Sequence, residues 1–222
     1  MHMAIHLYRR KAYLDKMRPF VDDTEIIKVV TGIRRCGKSC LMQTVAEEIV
    51  ERGIPTKNIV FIDLEKRGLR RIKTPDQLEA TIEEHIPSKN KGTIYLFIDE
   101  IQRVEGFEEV INAYRADGGF SIFITGSNSY LLSGELMTNL TGRYVEIELF
   151  TLSFSEYLEM RTYLGKPQVS QAQLFREFLR YGGFPKALEY DDPQAKVRYI
   201  EEVVGQIIDK DIRSRHKIRN RP

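Results

Sequence analysis

A chain of 222 residues with 34 Lys and Arg, 32 Asp and Glu and a net charge of +2 holds one core and a smaller appendage, at about 100–200 residues per domain. Its 42% hydrophobic and 30% charged content exclude a disordered or collagen-like chain, and two Cys exclude a disulfide framework and point to a reducing, cytoplasmic setting. The longest apolar run, from Ile94 to Ile98, falls far short of the roughly 20 residues a membrane-spanning helix needs, and no secretory pattern opens the chain, so no membrane role is expected.

Residues 7–20 predict a short basic helix closed by Pro19. The β-branched run from Ile26 to Val30, ending at Thr31-Gly32, predicts a buried strand. From Lys38 to Arg52, apolar Leu41, Met42, Val45, Ala46, Ile49 and Val50 mark one face of a helix stopped by Gly53 and Pro55. A second strand is expected from Ile59 to Ile62. Thr74-Pro75-Asp76-Gln77 combines an N-cap, a first-turn Pro and a capping-box Gln, so a helix starts there. Further strands are expected over 94–98, 121–125 and 144–149. Strands separated by helical patterns predict an α/β three-layer sandwich on a mainly parallel five-stranded sheet, with helices on both faces.

Beyond Phe150 the pattern becomes purely helical. Ser153 to Glu156 is a capping box, 171–181 an amphipathic helix ended by Gly182-Gly183, and Asp192-Pro193 opens a long helix. Its apolar stripe (Val197, Ile200, Val203, Val204, Ile207, Ile208) needs a cover, which marks a surface for a protein partner or self-association. The divisions expected are an N-terminal basic helix in 1–25, a core in 26–150 and a helical region in 151–222.

Three segments carry chemistry. Gly32-Ile-Arg-Arg-Cys-Gly37-Lys38-Ser39 matches the phosphate-loop pattern G-x-x-x-x-G-K-[ST] between a predicted strand and a predicted helix. Glycines let the backbone curl until its N–H groups converge on an anion, and the helix start adds partial positive charge. Gly32, Arg34, Arg35, Cys36, Gly37, Lys38, Ser39 and Cys40 are the expected nucleotide-binding residues. Lys38 reaches the β- and γ-phosphates and Ser39 ligates Mg²⁺. In the second segment, Asp99 and Glu100 follow the apolar strand at 94–98. Asp99 is expected in the Mg²⁺ shell, and Glu100 as the general base for the attacking water. The third is Thr125-Gly126-Ser127-Asn128, from which Asn128 or Ser127 is aimed toward the γ-phosphate. If the strand at 59–62 lies outside both motif strands, the strand ending at Thr125 fills the gap between them, giving the order 5-1-4-3-2.

With these segments in place, the chain resembles the archaeal and bacterial AAA-like ATPases of the additional-strand P-loop type. The resemblance runs from the loop at 31–39 through Phe97-Ile-Asp-Glu-Ile-Gln102, Thr125 to Asn128, Thr141-Gly-Arg143, 152–157 and Gly182-Gly-Phe-Pro185. It implies ATP as the nucleotide, hydrolysis to ADP and phosphate, the strand order above, a helical lid over 151–222, and Asn128 as a γ-phosphate sensor. It implies that Arg143 presents a cation to the transition state, in cis or from a neighbouring subunit, and that Pro185 packs near adenine. Members of the family continue into a winged-helix-like region and a nuclease-like domain, so the chain is expected to be a truncated piece.

The remaining features are weaker signals. The tail bearing Arg213, Arg215, Lys217, Arg219 and Arg221 has no acidic residue beside them; it reads as a solvated helix end or as a DNA contact that would make the protein a nucleotide-operated switch. Cys36 and Cys40 lack a second ligand pair, so no zinc site is expected.

Overall fold

The computed structural model describes residues 7–87, 92–126, 140 and 142–209. Five parallel strands form one sheet: β1 (Ile27–Thr31), β2 (Ile59–Asp63), β3 (Ile94–Asp99), β4 (Phe120–Thr125) and β5 (Tyr144–Glu148), in the order β2-β3-β4-β1-β5. This is the expected order 5-1-4-3-2. Burial follows position. Strands β1 and β3 are buried at every residue and β4 at all but its first, whereas edge strands β2 and β5 alternate or open outward. Continuous apolar runs therefore belong to strands covered on both faces.

The period-2 alternation of a strand divides the core. Ile94, Leu96 and Ile98 join Leu78, Ile82, Phe107, Val110, Ile111 and Tyr114 in one apolar cluster. That cluster packs helices α3 (Pro75–His85) and α4 (Phe107–Asp117) against the sheet. The residues between them build an aromatic ladder from register partners Phe61, Phe97 and Phe123, stacked at 5.6 and 4.4 Å between ring centroids. Lys28, paired with Phe123 across β1 and β4, extends the row with Nζ 4.7 Å from the ring centroid. Its ammonium is fully buried and donates to the Asp23 and Ile26 carbonyls and to Ser121 Oγ, so every donor is used.

Helix α1 (Lys11–Met17), short and continued by a 3-10 turn through Pro19, packs on α2 (Lys38–Glu51) and β5. The predicted helix over 7–20 thus loses its first four residues. Helix α3 starts where its signals place it: Thr74 Oγ1 accepts from Gln77 N–H at 3.4 Å. The Gln77 side chain, however, accepts from Lys73 N–H, one residue earlier than a capping box requires. Helix α4 was not read from the sequence. Its buried Phe107, Val110, Ile111 and Tyr114 have plain i, i+3, i+4, i+7 spacing, but it starts at Gly106 without a side-chain cap.

The chain divides into two compact units: 11–31 with 38–148, which carries the sheet, and 1–10 with 32–37 and 149–222. The second holds helices α5 (Phe154–Tyr163), α6 (Gln171–Tyr181) and α7 (Pro193–Ile207), and a small core of Leu152, Tyr157, Met160, Leu174 and Leu188 with Tyr8 and Phe178 against it. The predicted capping box at Ser153 and Glu156 is complete. Leu179 of α6 is 69% exposed, and Val197, Val204 and Ile208 of the α7 stripe are exposed while Val203 is buried. Among the described residues, no helix is long and apolar enough to cross a membrane.

Candidate functional site

In the sheet unit, the ends of three strands and the start of α2 bring polar groups together. Ser39 lies in the first turn of α2, and Asp99 is the last residue of β3. Asp99 is 3% exposed and accepts hydrogen bonds from the Ser39 and Thr125 hydroxyls. Burial pushes its carboxyl above the ordinary carboxylate range; the two hydroxyls oppose this, and the charges of Glu100 and Asp63 add to it. Thr125, the last residue of β4, bridges the pair, because the oxygen that donates to Asp99 also accepts the Glu100 N–H at 3.0 Å. Lys38, 5% exposed, places Nζ 3.9 Å from Glu100 Oε1.

Glu100 is held from a third direction. Gln102 Nε2 donates to Glu100 Oε2 at 2.5 Å, and among the described residues Gln102 Oε1 is buried with no hydrogen-bond partner. Glu100 also occupies the left-handed region (φ 58°, ψ 46°). Among the described residues, one other non-glycine residue has positive φ, Arg35 at 66° in the loop 32–37. Each such residue costs on the order of 1 kcal/mol or more. Both belong to the motifs singled out by sequence.

The loop 32–37 leaves β1 and enters α2. Gly32 has φ 151°, and a Cβ there would lie 2.3 Å from Leu149 O and 2.8 Å from Cys36 Sγ. Gly37 has φ 109°. Only a residue without a side chain meets both demands at position 32. The Cys36 N–H closes a turn onto Ile33 O at 3.4 Å, and the Cys36 thiol is buried, whereas Cys40 is exposed. Arg34 is half-buried and Arg35 exposed. Pro185 belongs to the same unit as this loop and opens a 3-10 turn, Pro185–Glu189, just after Gly183.

One expected residue stands apart, and others lie outside the described residues. Asn128, with Ser127, lies outside the described residues, as does the basic tail. Arg143 is exposed at the start of β5, and its carbonyl accepts from Ile27 N–H at the start of β1. That is the sheet edge opposite to Thr31, Asp99 and Thr125, so the structure does not bring Arg143 to the cluster. Sequence reasoning, in turn, quoted Thr125 and Gln102 within its motifs but gave neither a role. Thr125 had a weak signal as a small polar residue ending a buried strand, and Gln102 one as a polar residue two places beyond Glu100.

Ser39 and Asp99 offer a hydroxyl and a carboxylate whose oxygens already meet, the donor set suited to Mg²⁺, which takes one or two protein oxygens and completes its shell with water and phosphate. Among the described residues no three His, Cys, Asp or Glu converge as a closed metal cage.

The family model described as "AAA domain" matches residues 24–158. An uncharacterised protein of Haemophilus influenzae is 36% identical over 98% of this chain and 54% of its own length, and one of Methanocaldococcus jannaschii is 35% identical over 87% and 43%. The chain thus spans about half the length of these curated relatives. Among solved structures, the S. cerevisiae Hsp104–ADP complex covers 95% of this chain and 33% of its own at 17% identity and a TM-score of 0.59. AMPPCP-bound DnaA from Aquifex aeolicus covers 94% and 69% at 16% identity and a TM-score of 0.51. These two similarities show a shared fold.

Proposed function

Because the chain belongs to the AAA domain family, whose model spans more than half of it, we propose that it binds ATP with Mg²⁺ and hydrolyses it to ADP and phosphate. The observation that carries this reading is the convergence of Lys38, Ser39, Asp99 and Glu100 around one bridging hydroxyl, directly after a glycine-framed loop. Lys38 neutralises the β- and γ-phosphates. Ser39 and Asp99 hold Mg²⁺, which when bound offsets phosphate charge. Glu100 accepts a proton as water bonds to the γ-phosphorus and the bond to the β–γ bridging oxygen breaks, leaving ADP and inorganic phosphate. Gln102 keeps one Glu100 oxygen engaged, so the other faces Lys38 and the incoming water.

Pro185 serves the adenine and Asn128 the γ-phosphate on this reading. Arg143, at the far edge of the sheet, serves catalysis from a neighbouring copy rather than its own. Hydrolysis is coupled to movement of the helices after Leu149, which act as a lid.

Replacing Glu100 by Gln should leave binding of ATP with Mg²⁺ intact by calorimetry and lower phosphate release by a factor on the order of 10²–10⁴. Lys38→Ala should abolish uptake. Wild-type turnover in Glu100→Gln, or unchanged uptake in Lys38→Ala, refutes the assignment.

A further inference from the structure

Arg10 lies in the short arm before α1, and sequence alone marks it only as one of three consecutive cations. In the structure it is 5% exposed, and each of its five N–H donors has an acceptor. Nε and one Nη2 hydrogen grip the Glu156 carboxylate as a fork, both at 2.8 Å. The remaining donors reach Phe150 O at 2.6 Å, Thr151 O at 3.3 Å and, in the phosphate loop, Cys36 O at 3.3 Å. One guanidinium thus gathers three main-chain carbonyls and a carboxylate that would repel one another without it. All of these residues belong to one compact unit.

Each partner is anchored in turn. Glu156 is the capping-box residue of α5, tied to Ser153 by both of its bonds. Burial resists its ionisation, but the bonds from Arg10 and Ser153 prevail and hold its carboxyl below the ordinary value. The arm itself is fastened along α5, with the Tyr8 hydroxyl donating to Glu159 at 2.9 Å and its ring 5.8 Å from that of Tyr163. The segment around Phe150 touches the loop through Leu149 O under Gly32.

We propose that Arg10 is a positioning residue that sets the phosphate loop for nucleotide and ties its setting to α5. The reason is the geometry of a trans peptide, whose N–H points opposite to its C=O. With Cys36 O drawn to Arg10, the Gly37 N–H of the same peptide is turned away from Arg10 and kept as a donor for a phosphate oxygen. Lysine at this position supplies charge but not a planar five-donor fork, so it cannot hold the same acceptors. This inference rests on the nucleotide reading above.

The test uses the whole chain, with Mg²⁺ and a non-hydrolysable ATP analogue in calorimetry and with ATP in steady-state turnover, for wild type, Arg10→Ala, Arg10→Lys and Glu156→Gln. Arg10→Ala should weaken analogue binding and raise KM by up to about a hundredfold, the loss expected when a hydrogen bond to a charged phosphate is forfeited, with kcat little changed. Arg10→Lys should recover only a minor part, and Glu156→Gln should show a smaller rise in KM. A purely structural role would lower the melting temperature of Arg10→Ala while its folded fraction kept wild-type affinity, and that result overturns the inference, as does full rescue by Lys. If Arg10→Ala does not fold, Arg10→Lys and Glu156→Gln decide the matter, and wild-type KM in both refutes it. Absence of nucleotide uptake by the wild type would instead remove the nucleotide reading, and this inference with it.

Discussion

Replacing Thr125 by Val is the sharpest probe of the site, because the two side chains match in size and differ in one oxygen. That oxygen donates to Asp99 and accepts from Glu100 N–H at 3.0 Å, and the residue is wholly buried. A hydrogen bond to a charged group contributes about 1.5–3 kcal/mol, and a buried donor left unpaired costs about 1–3 kcal/mol. No cavity opens, and Ser39 still serves Asp99, so the ligand-free protein should lose about 2.5–6 kcal/mol on these figures. The loss should shrink as pH falls. The Asp99 carboxyl already sits above its ordinary value, so it takes up a proton early in the descent and no longer needs a donor as a carboxylate does. Urea denaturation at neutral and mildly acidic pH measures both effects. Thr125→Ser, which keeps the hydroxyl, should stay within about 1 kcal/mol of wild type, the usual range for a conservative change. Equal damage from Ser and Val, or a Val variant as stable as wild type, would show that the bridging oxygen does not hold the two carboxylate residues.

Two further predictions concern other parts of the chain. Gly32→Ala should abolish ATP-analogue binding, since its Cβ would lie 2.3 Å from Leu149 O at a φ of 151°, whereas Gly68→Ala, where nothing lies within 4 Å, should bind normally; calorimetry on both variants separates the outcomes, and binding by Gly32→Ala counts against the loop geometry. Burial lowers the pKa of Lys28 from 10.5 to about 7 despite the opposing charges of Asp23 and Asp22. Between those values the unfolded chain holds the proton and the folded chain releases it, so this group's contribution to stability should rise with pH from about 7 to 10.5 and fall as pH drops through that window. Lys28→Met should flatten that slope in chemical denaturation series, and an unchanged slope would refute the assignment.

What could be read from the sequence was what rests on side-chain pattern. The apolar runs at β1 and β3, the Ser153–Glu156 box and the stop at Gly182 each name their own structure, whereas the sheet order rested on placing the strand at 59–62 outside both motif strands and on the family resemblance. The helix at 107–117 had the pattern but no cap, since Gly106 offers no side chain to accept a first-turn N–H. Arg10 was illegible for a different reason. Three of its five bonds end on carbonyl oxygens, which every residue carries, so no residue type advertises them. The location of Arg143 depended on which end of β5 carries it relative to the strand direction. Its neighbours Thr141 and Gly142 say nothing about that until β5 is seen to run parallel to β1.

The connector from Leu149 to Leu152 buries its two Leu side chains and has its main chain gripped as well: Leu149 O under Gly32, the oxygens of Phe150 and Thr151 by Arg10, and the Leu152 N–H by Gly183 O at 2.7 Å, with Leu152 O close enough to forbid a Cβ at Gly183. Selection therefore acts on the outsiders. Across descendants of this chain, Gly32, Gly183 and Arg10 should resist drift, while position 150, its Phe side chain 59% exposed, should wander through many amino acids. At position 152, proline would delete the amide that the connector lends to Gly183, and a charged residue would sit in the small core that Leu152 fills.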